Sequence, residues 1–224
     1  MRLILASASP RRAELLRAAG YSFDTVTVDV DERPRERELP AGYVRRLAAE
    51  KSAMADLKVR TTTEAAQPPS PGFGEPRRSS PDVTASGGGA FRPAVASDDA
   101  IILAADTAVV VDGEILGKPR DDEDAERMLR RLSGRQHEVM TGISLRGGAH
   151  ELGCVITTVV WFAALSDRDI SWYLASEEGR DKAGAYAIQG LASRFIPQIT
   201  GSYTNVVGLP VAAVHELLQQ MRFA

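Results

Sequence analysis

Residues 3–12 read Leu3-Ile4-Leu5-Ala6-Ser7-Ala8-Ser9-Pro10-Arg11-Arg12, and this stretch decides the fold. Its apolar beginning is typical of a buried strand. Ser9 suits a helix N-cap and Pro10 suits the first helical position, so we predict a helix from Pro10 to Ala19 with Gly20 after it. A strand that leads so directly into a helix points the unpaired N–H groups of the helix at the turn. The sequence therefore predicts an anion site there.

Arg11 and Arg12 fall in the first turn of this predicted helix, where the helix dipole disfavours positive charge. Such a placement indicates an anionic ligand. Considered alone, the pair could equally be two solvated arginines on a surface helix. The choice between the two interpretations depends on whether distant parts of the chain supply matching groups.

The composition of the 224-residue chain limits its class. A net charge of −3 argues against binding to nucleic acid or to a membrane surface. The single cysteine, Cys154, excludes a disulfide framework and fits a reducing compartment, and the three histidines lack metal-ligand spacing. Because no apolar run reaches transmembrane length and the first residues lack a signal-peptide pattern, we expect a cytoplasmic protein.

Residues 61–98 differ from the rest of the chain. They are rich in Thr, Pro, Ser and Gly and contain few large apolar side chains. Such a composition cannot bury enough apolar surface to offset its ordering entropy. We therefore predict one domain over residues 1–224 with a disordered insertion at 61–98, because surface loops tolerate long insertions at small entropic cost.

Predicted strands and helices alternate along the remaining sequence, which indicates an α/β fold. A buried strand over 100–105 ends in Asp106-Thr107 and continues extended to Val111, where Asp112-Gly113 is a hairpin signal. Further strands are predicted at 23–28, 114–116, 139–145, 155–164, 195–196 and 206–207. Further helices are predicted over 41–57, 121–132, 166–175 and 210–221.

Polar side chains near the ends of these elements form the candidate site. They are Ser9, Arg11, Arg12, Glu32, Lys51, Asp106, Thr107, Lys118, Lys182 and Gln189. Ligands of open α/β sheets bind outside strand ends, and several cations with two or three carboxylates suit a polyphosphate and a divalent metal. Each residue also has a structural interpretation: the lysines as exposed side chains, and Asp106 as a cap of the following turn.

Seven sets of motifs occur in order along nearly the whole chain outside residues 61–98. They are Ala6-Ser7-Ala8-Ser9-Pro10-Arg11-Arg12, Ala49-Glu50-Lys51, Ala105-Asp106-Thr107, Gly117-Lys118-Pro119-Arg120, Leu132-Ser133-Gly134, Asp181-Lys182-Ala183-Gly184-Ala185-Tyr186 with Ile188-Gln189-Gly190, and Gly201-Ser202-Tyr203 with Val207-Gly208-Leu209-Pro210. Together they resemble the Maf family of house-cleaning nucleotide pyrophosphatases. The resemblance implies an α/β, ITPase-like fold with a twisted mixed sheet, flanking helices and two lobes around a central cleft. It also implies hydrolysis of nucleoside triphosphates to the monophosphate and pyrophosphate with a divalent cation, Mg²⁺ or Mn²⁺, and often a homodimer.

The resemblance extends to substrate choice. In the family, the residues at three positions correlate with substrate choice. In this chain they are Arg11, Thr107 and Gln189, and this set resembles the dTTP/UTP branch. Ser9 and Lys182 are implied substrate contacts. Uracil and thymine present an acceptor at O4 and a donor at N3–H, which a primary amide can match, whereas cytosine reverses that pair. We therefore expect Gln189 to select UTP over CTP.

The resemblance also suggests a mechanism. We expect Asp106 to act as the general base for water that attacks the α-phosphorus. Glu32, with Asp106 or the phosphates, would hold the metal. Arg12, Lys51 and Lys118 would stabilise the triphosphate and the leaving pyrophosphate.

Two other functions stay open at this point. A non-catalytic regulator of cell division, acting on septum formation through protein partners, could keep the same fold, although the filled polar positions weigh against it. A phosphoryl enzyme that uses Asp106 as nucleophile would need a second Asp two residues on, where this chain has Ala108. An activity assay on purified protein separates the enzyme from the regulator.

Overall fold

A mixed sheet of seven strands forms the centre of the computed structural model, which describes residues 2–65 and 100–222. The strands are β1 (Arg2–Ala6), β2 (Asp24–Val26), β3 (Ala100–Val111), β4 (Glu114–Leu116), β5 (Gln136–Gly147), β6 (His150–Trp161) and β7 (Gln198–Thr200). Their order in the sheet is β2-β1-β3-β5-β6-β7, with β4 also paired to β3. β1 runs parallel to β2 and β3, and the other pairs are antiparallel. The predicted α/β class with a mixed sheet is confirmed.

Helices cover both faces of this sheet. In the described part of the chain they are α1 (Pro10–Ala18), α2 (Pro40–Ala65), α3 (Asp122–Leu132), α4 (Asp167–Leu174), α5 (Tyr203–Val207) and α6 (Val211–Arg222), with 3₁₀ turns at Ala183–Ala185 and Leu191–Phe195. Because successive side chains of a strand point to opposite faces, Leu3 and Leu5 of β1 pack with α1 and α6, whereas Ile4 and Ala6 pack against α2. Within residues 2–65 and 100–222, none of the helices has the length and apolar character needed to cross a membrane.

β3 has two different neighbours along one of its edges. β1 pairs with it as far as Ala104, and β4 pairs with it from Val109 onward. Its other edge is bonded to β5 along nearly its whole length. Asp106 and Thr107 therefore lie between the part of β3 that pairs with β1 and the part that pairs with β4. Such a change of strand neighbours is where ligands bind in open sheets.

Four hydrophobic clusters lie along the sheet in the described residues, and β3 contributes to all of them. Two of these clusters contain most of the buried side chains. The first joins α1 and α6 to β1, β3 and β5, around Leu5, Leu103 and Leu145. The second joins the later part of β3 to α3, α4 and the 3₁₀ turns, around Val109 and Leu129. We call the parts of the chain around these two clusters the first and the second lobe, and β3 belongs to both.

α2 packs in direct contact with the sheet at Gly142 of β5. A Cβ atom on Gly142 would lie 2.3 Å from the carbonyl oxygen of Val44 and 2.8 Å from the backbone nitrogen of Arg45. Gly142 is also the register partner of Asp106 on β3. The missing side chain therefore lets α2, which carries Lys51, approach the part of the sheet that carries Asp106.

α2 is longer than the predicted helix, which ends at Leu57. It continues to Ala65, so the first five residues of the predicted insertion are helical. The hydroxyls of Thr61 and Thr62 donate to backbone carbonyls of the preceding turn, which satisfies these polar groups within the helix. The rest of that prediction, residues 66–98, lies outside the described residues.

Two short strands predicted at 195–196 and 206–207 are helical turns in the structure. Phe195 ends a 3₁₀ turn, and Val206 lies in α5, whose N-cap is the side chain of Ser202. Two adjacent apolar residues carry too little periodicity to separate strand from helix, and their tertiary packing decides. Both strand predictions are therefore wrong.

Candidate active site

A cleft of about 520 Å³ opens at the interval of β3 that lies between β1 and β4. Its lining includes all ten side chains selected from the sequence, namely Ser9, Arg11, Arg12, Glu32, Lys51, Asp106, Thr107, Lys118, Lys182 and Gln189. These residues come from distant parts of the chain and from both lobes. The structure thus brings the predicted residues together, while the role of each stays a prediction.

Lys51 lies between two carboxylates of this cleft. Its Nζ donates one hydrogen bond to Glu32 Oε1 and another to Asp106 Oδ1, each over 2.6 Å. The side chains of Lys51 and Asp106 are each 11% exposed, whereas that of Glu32 is 54% exposed. Solvent therefore screens the pair with Asp106 much less than the pair with Glu32.

The two carboxyls differ in their affinity for protons. Burial raises the pKa of Asp106 above the ordinary carboxyl value, although the charges of Lys51 and Arg12 oppose the shift. Burial also acts to raise the pKa of Glu32, but the hydrogen bond and charge of Lys51 outweigh it. With Lys118 and Arg12 adding to this effect, the pKa of Glu32 lies below its ordinary value. Asp106 is the better proton acceptor near neutral pH, and Glu32 stays ionised to lower pH.

The guanidinium of Arg12 is held by neutral oxygen atoms. Its Nε donates to the Gly208 carbonyl over 2.8 Å, and its terminal nitrogens donate to Thr107 Oγ1 over 3.1 Å and to Ser7 Oγ over 3.4 Å. Burial lowers the pKa of Arg12, and the negative charge of Asp106 opposes the shift. A cation whose direct partners are neutral keeps its charge available to an anionic ligand.

Thr107 connects Arg12 to the neighbouring strand. Its Oγ1 lies 2.9 Å from Thr141 Oγ1 on β5 and donates to the Gly208 carbonyl over 3.3 Å. The same oxygen accepts the hydrogen bond from Arg12. These contacts fix the Thr107 hydroxyl beside the guanidinium, so Thr107 orients Arg12 as well as lining the cleft.

The N-terminus of α1 lines the cleft, and Ser9 is its N-cap residue as predicted. The Ser9 hydroxyl, however, makes no capping hydrogen bond. The Ser9 backbone N–H donates to Ser7 Oγ over 3.1 Å. The first N–H groups of α1 and the Ser9 hydroxyl are therefore available to an anion beside Arg11.

Lys118 and Lys182 belong to two segments that a backbone hydrogen bond joins. The Gly184 N–H donates to the Gly117 carbonyl over 3.0 Å, which ties the arm of Lys118 to the loop of Lys182. Lys182 Nζ also donates to Asp181. Because both lysines line the cleft, positive charge faces it from the second lobe as well as from α1.

Gln189 is exposed on the turn that follows this loop and borders the cleft. In the described part of the chain, the hydrogen bonds of the turn come from backbone groups, and the side-chain amide of Gln189 makes none. Its donor and its acceptor are therefore both available to a ligand.

Sequence reasoning missed Tyr43 and Ser7, which also line the cleft. The Tyr43 hydroxyl donates to the Glu32 carbonyl over 2.9 Å and fixes that backbone, and burial raises the pKa of Tyr43 to about 12. Its helical spacing indicated only a core residue. Ser7 lies inside the motif that carries the resemblance, so its contact with Arg12 could have been anticipated.

Glu32 and Asp106 are the carboxylates of the cleft that the sequence predicts as ligands of a divalent cation. Lys51 occupies one oxygen of Glu32 and one of Asp106. Among the residues that the structure describes, no group of three or more His, Cys, Asp or Glu side chains could hold a metal. Mg²⁺ is commonly bound through one or two carboxylates together with substrate phosphates. A cation at Glu32 and Asp106 would therefore need further ligands, which the phosphates of a substrate could supply.

A second, more open depression of about 640 Å³ lies between α2 and the segment after β2. It is lined by Thr27, Val28, Asp29, Met54, Leu57, Lys58 and Thr61. None of the ten candidates lines it, and its single carboxylate and single ammonium group form no convergent polar set. The cleft at β3 is therefore the better candidate for chemistry.

Comparison with known proteins finds relatives along nearly the whole chain. A dTTP/UTP pyrophosphatase of Shewanella oneidensis is 43% identical over 225 residues, covering 98% of this chain and 98% of the relative. A dTTP/UTP pyrophosphatase of Anaeromyxobacter dehalogenans is 43% identical over 226 residues, covering 99% and 95%. The Ham1 protein structure of Staphylococcus aureus matches weakly, with a TM-score of 0.38 and 12% identity over 73% of this chain and 72% of that one. The family model described as "Maf-like protein" matches residues 2–221, and the chain therefore belongs to the Maf family.

Proposed function

We propose that this protein hydrolyses dTTP and UTP to the nucleoside monophosphate and pyrophosphate, as a house-cleaning nucleoside triphosphate diphosphatase. The observation that carries the proposal is the single cleft in which all ten candidate residues meet. The name dTTP/UTP pyrophosphatase, carried by relatives at 43% identity, supports the same activity.

The positive groups that line the cleft suit a triphosphate. Arg12 and the N-terminus of α1 line it together with Lys118 and Lys182. Arg12 is held by neutral acceptors, so its charge is directed at the ligand rather than at a protein carboxylate. These groups would neutralise the phosphates and stabilise the pyrophosphate as its charge grows during cleavage.

Asp106 would accept the proton of the attacking water. A bond forms between the water oxygen and the α-phosphorus, and the bond from that phosphorus to the α,β-bridging oxygen breaks. Pyrophosphate leaves with the electron pair, and the proton passes to the Asp106 carboxylate. The raised pKa of Asp106 favours this transfer near neutral pH, and the hydrogen bond from Lys51 orients the carboxylate.

Gln189 would read the base. Its side-chain amide can donate to O4 and accept from N3–H of uracil or thymine, and its position at the edge of the cleft leaves both atoms available. Ser9 and Arg11, beside the N-terminus of α1, and Thr107, which orients Arg12, would complete the substrate contacts.

Glu32, with Asp106 or the substrate phosphates, would hold a divalent cation, Mg²⁺ or Mn²⁺. When bound, such a cation adds positive charge against the substrate phosphates. The lowered pKa of Glu32 supports this part of the proposal, because that carboxylate stays ionised over a wide range of pH.

A nucleotide panel tests the function. The full-length protein is incubated with dTTP, UTP, CTP, ATP and GTP, each with Mg²⁺ and with Mn²⁺, and pyrophosphate and orthophosphate are measured. We expect dTTP and UTP to be cleaved best, with pyrophosphate as the product, and Asp106→Asn prepared in parallel excludes a contaminating phosphatase. Folded protein that releases no pyrophosphate from any nucleotide would contradict the proposal and favour the regulator of cell division.

We further propose that the enzyme acts as a cytoplasmic homodimer. This part is supported by the resemblance to the family and by no contact in the structure. Light scattering of the purified protein checks it, since a dimer has twice the 24.1 kDa of one chain. A mass equal to one chain at assay concentration would contradict it.

A further inference from the structure

The turn that carries Gln189 is held at both ends by one pair of side chains. The Ala187 N–H donates to the Tyr173 hydroxyl over 3.1 Å, and the Leu191 N–H donates to Glu178 Oε1 over 2.9 Å. The Tyr173 hydroxyl in turn donates to Glu178 Oε2 over 2.9 Å. The two side chains form one unit, which we call the Tyr173–Glu178 clamp.

The clamp is itself fixed within the second lobe. Tyr173 is 1% exposed, and its ring meets Phe195 edge to face with 6.1 Å between the centroids. Ser176 Oγ donates to the Tyr173 carbonyl over 2.6 Å and accepts from the Glu178 N–H over 3.3 Å. Burial, together with the hydrogen bond to Glu178, raises the pKa of Tyr173, so its hydroxyl remains a donor.

The turn fits closely against the clamp at Gly190. A Cβ atom on Gly190 would lie 1.9 Å from Glu178 Oε1, so a side chain would displace the carboxylate. The Gly190 N–H also donates to the Ala187 carbonyl over 3.1 Å and closes the turn. Gln189 lies between these fixed points. Its backbone position is therefore set by Tyr173 and Glu178, which do not themselves line the cleft.

We propose that Tyr173 and Glu178 are positioning residues that set the base selectivity of the enzyme by fixing the turn of Gln189. The inference rests on the proposed function, in which the Gln189 amide reads the pyrimidine. An amide distinguishes uracil from cytosine by the direction of two hydrogen bonds. This requires the amide of Gln189 to lie within about 0.5 Å of the position in which both bonds form. A turn released from the clamp would let the amide adapt to either base.

Tyr173→Phe tests the hydroxyl while keeping the buried ring. We expect the ratio of kcat/KM for UTP to that for CTP to fall about tenfold, mainly through a higher KM for UTP, with kcat changed less than about threefold. Tyr21→Phe is the matched control, because the Tyr21 hydroxyl lies 2.7 Å from His215 Nδ1 and lines no part of the cleft. The control should keep the wild-type ratio.

Glu178 provides the second test. Glu178→Ala removes both carboxylate acceptors and should lower the UTP/CTP ratio of kcat/KM as Tyr173→Phe does. Glu178→Gln keeps an acceptor for the Leu191 N–H, so its UTP/CTP ratio should be close to that of the wild type. Glu126→Ala, which breaks a surface ion pair with Arg130 on α3, controls for the loss of a carboxylate. Thermal unfolding verifies that each variant is folded. If Glu178→Ala does not fold, Tyr173→Phe still tests whether the clamp sets the base selectivity.

Hydrogen exchange measures the clamp without any nucleotide. The amides of Ala187 and Leu191 should exchange at least about tenfold faster in Tyr173→Phe and Glu178→Ala. Tyr173→Phe removes the acceptor of the Ala187 N–H, and Glu178→Ala removes the acceptor of the Leu191 N–H. In each variant the remaining acceptor also loses the hydrogen bond between Tyr173 and Glu178. Unchanged exchange would overturn the inference. Faster exchange with a UTP/CTP ratio within about twofold of wild type would overturn it as well.

Failure of the proposed function gives a different result. Wild-type protein that cleaves UTP and CTP equally contradicts the proposed function and the inference together. A preference that survives Gln189→Ala contradicts the role of Gln189 and the inference, while the hydrolysis of dTTP and UTP stands. A wild-type preference that depends on Gln189 but is unaffected by the clamp variants overturns the inference alone.

Discussion

Lys51 donates hydrogen bonds to two carboxylates, and its charge opposes the effect of burial on one of them. Asp106 must be ionised to accept a proton, so activity should rise with pH as Asp106 loses its own proton. Lys51→Gln removes the largest effect that lowers the pKa of Asp106, and that pKa then rises further. We expect the acidic limb of the kcat/KM profile to move to higher pH, in addition to a lower maximal rate.

Lys182→Gln is the control for this profile. Lys182 lines the same cleft but pairs with Asp181 and makes no hydrogen bond to Asp106. Its replacement should raise KM while leaving the acidic limb in place. An acidic limb that stays at its wild-type pH in Lys51→Gln would show that Asp106 does not govern it.

Asp106→Asn tests the proton acceptor itself. Loss of a general base is expected to lower kcat by about 10²–10⁴-fold. Asp112→Asn is a matched control, because Asp112 lies on the hairpin after β3 and pairs with Arg135 at the surface. A purified, folded Asp106→Asn protein within about threefold of wild type would contradict the assignment.

The sequence predicted which residues meet in the cleft better than it predicted how they are held. Arg12 and Lys51 were recognisable by their charge and by the motifs around them. Tyr173 and Glu178 were not, because they act through backbone N–H groups of a turn well beyond them in the chain. Ser9 was expected both to cap α1 and to contact substrate, and the missing cap bond was unforeseen, since a Ser at an N-cap normally bonds to the helix.

At the scale of elements, Gly142 determines how closely α2 approaches β5. Gly142→Ala would place a methyl group against the α2 backbone, so the helix must shift. We expect the free energy of unfolding to fall by about 1–3 kcal/mol, with reduced kcat as Lys51 moves away from Asp106. Denaturant unfolding and steady-state kinetics measure the two effects.

Gly42→Ala is the control for this substitution. Gly42 lies in α2, and a Cβ atom there meets only the Glu38 side chain at 3.9 Å. Alanine favours helix over glycine, so stability should stay equal or increase. Equal unfolding midpoints and equal kcat for Gly142→Ala and Gly42→Ala would refute the packing argument.

His137 on β5 couples stability to pH. Its Nε2 lies 2.8 Å from the Tyr186 hydroxyl, its Nδ1 is buried without a partner among the described residues, and burial lowers its pKa from 6.5 to about 4. The unfolded chain therefore binds the proton first, and folding free energy is lost as pH falls from 6.5 toward 4. The loss is on the order of 3 kcal/mol.

Urea unfolding at a series of pH values checks this coupling. His137→Gln should flatten the dependence between pH 6.5 and 4, because its side chain does not titrate. His150→Gln, at an exposed position, should leave the dependence as it is in the wild type. A slope in that range that survives in His137→Gln would assign the effect to other groups.

Long elements were predicted well and short ones poorly. The apolar run of β3 and the Asp121 cap of α3 are strong local signals, and both occur in the structure. The segments at 195–196 and 206–207 adopt helical turns because tertiary packing around Phe195 and capping by Ser202 decide there. Local pattern is informative where an element repeats it several times.

At the scale of the whole molecule, the end of α2 and the start of β3 lie at the end of the sheet away from the cleft. Arg60 near the end of α2 donates to the Gly148 carbonyl over 3.4 Å, and Ala100 at the start of β3 pairs with Arg2 at the start of β1. The cleft lies at the other end of β1, beside Asp106. Replacing residues 66–98 by a flexible Gly-Ser linker should therefore change kcat and KM by less than about twofold.

The same linker in place of residues 34–39 is the control, because that segment joins Glu32 to α2 and should be sensitive. A folded protein that loses its activity when residues 66–98 are replaced would assign those residues a part in catalysis. Circular dichroism verifies that both variants are folded.

The uninterrupted course of β3 has a mechanical consequence. A strand of 12 residues, bonded to β5 along nearly its whole length, resists bending between its two halves. We therefore expect the cleft to keep its shape when the nucleotide enters. A site of this kind would be preorganised around Asp106 and Thr107 before any nucleotide binds.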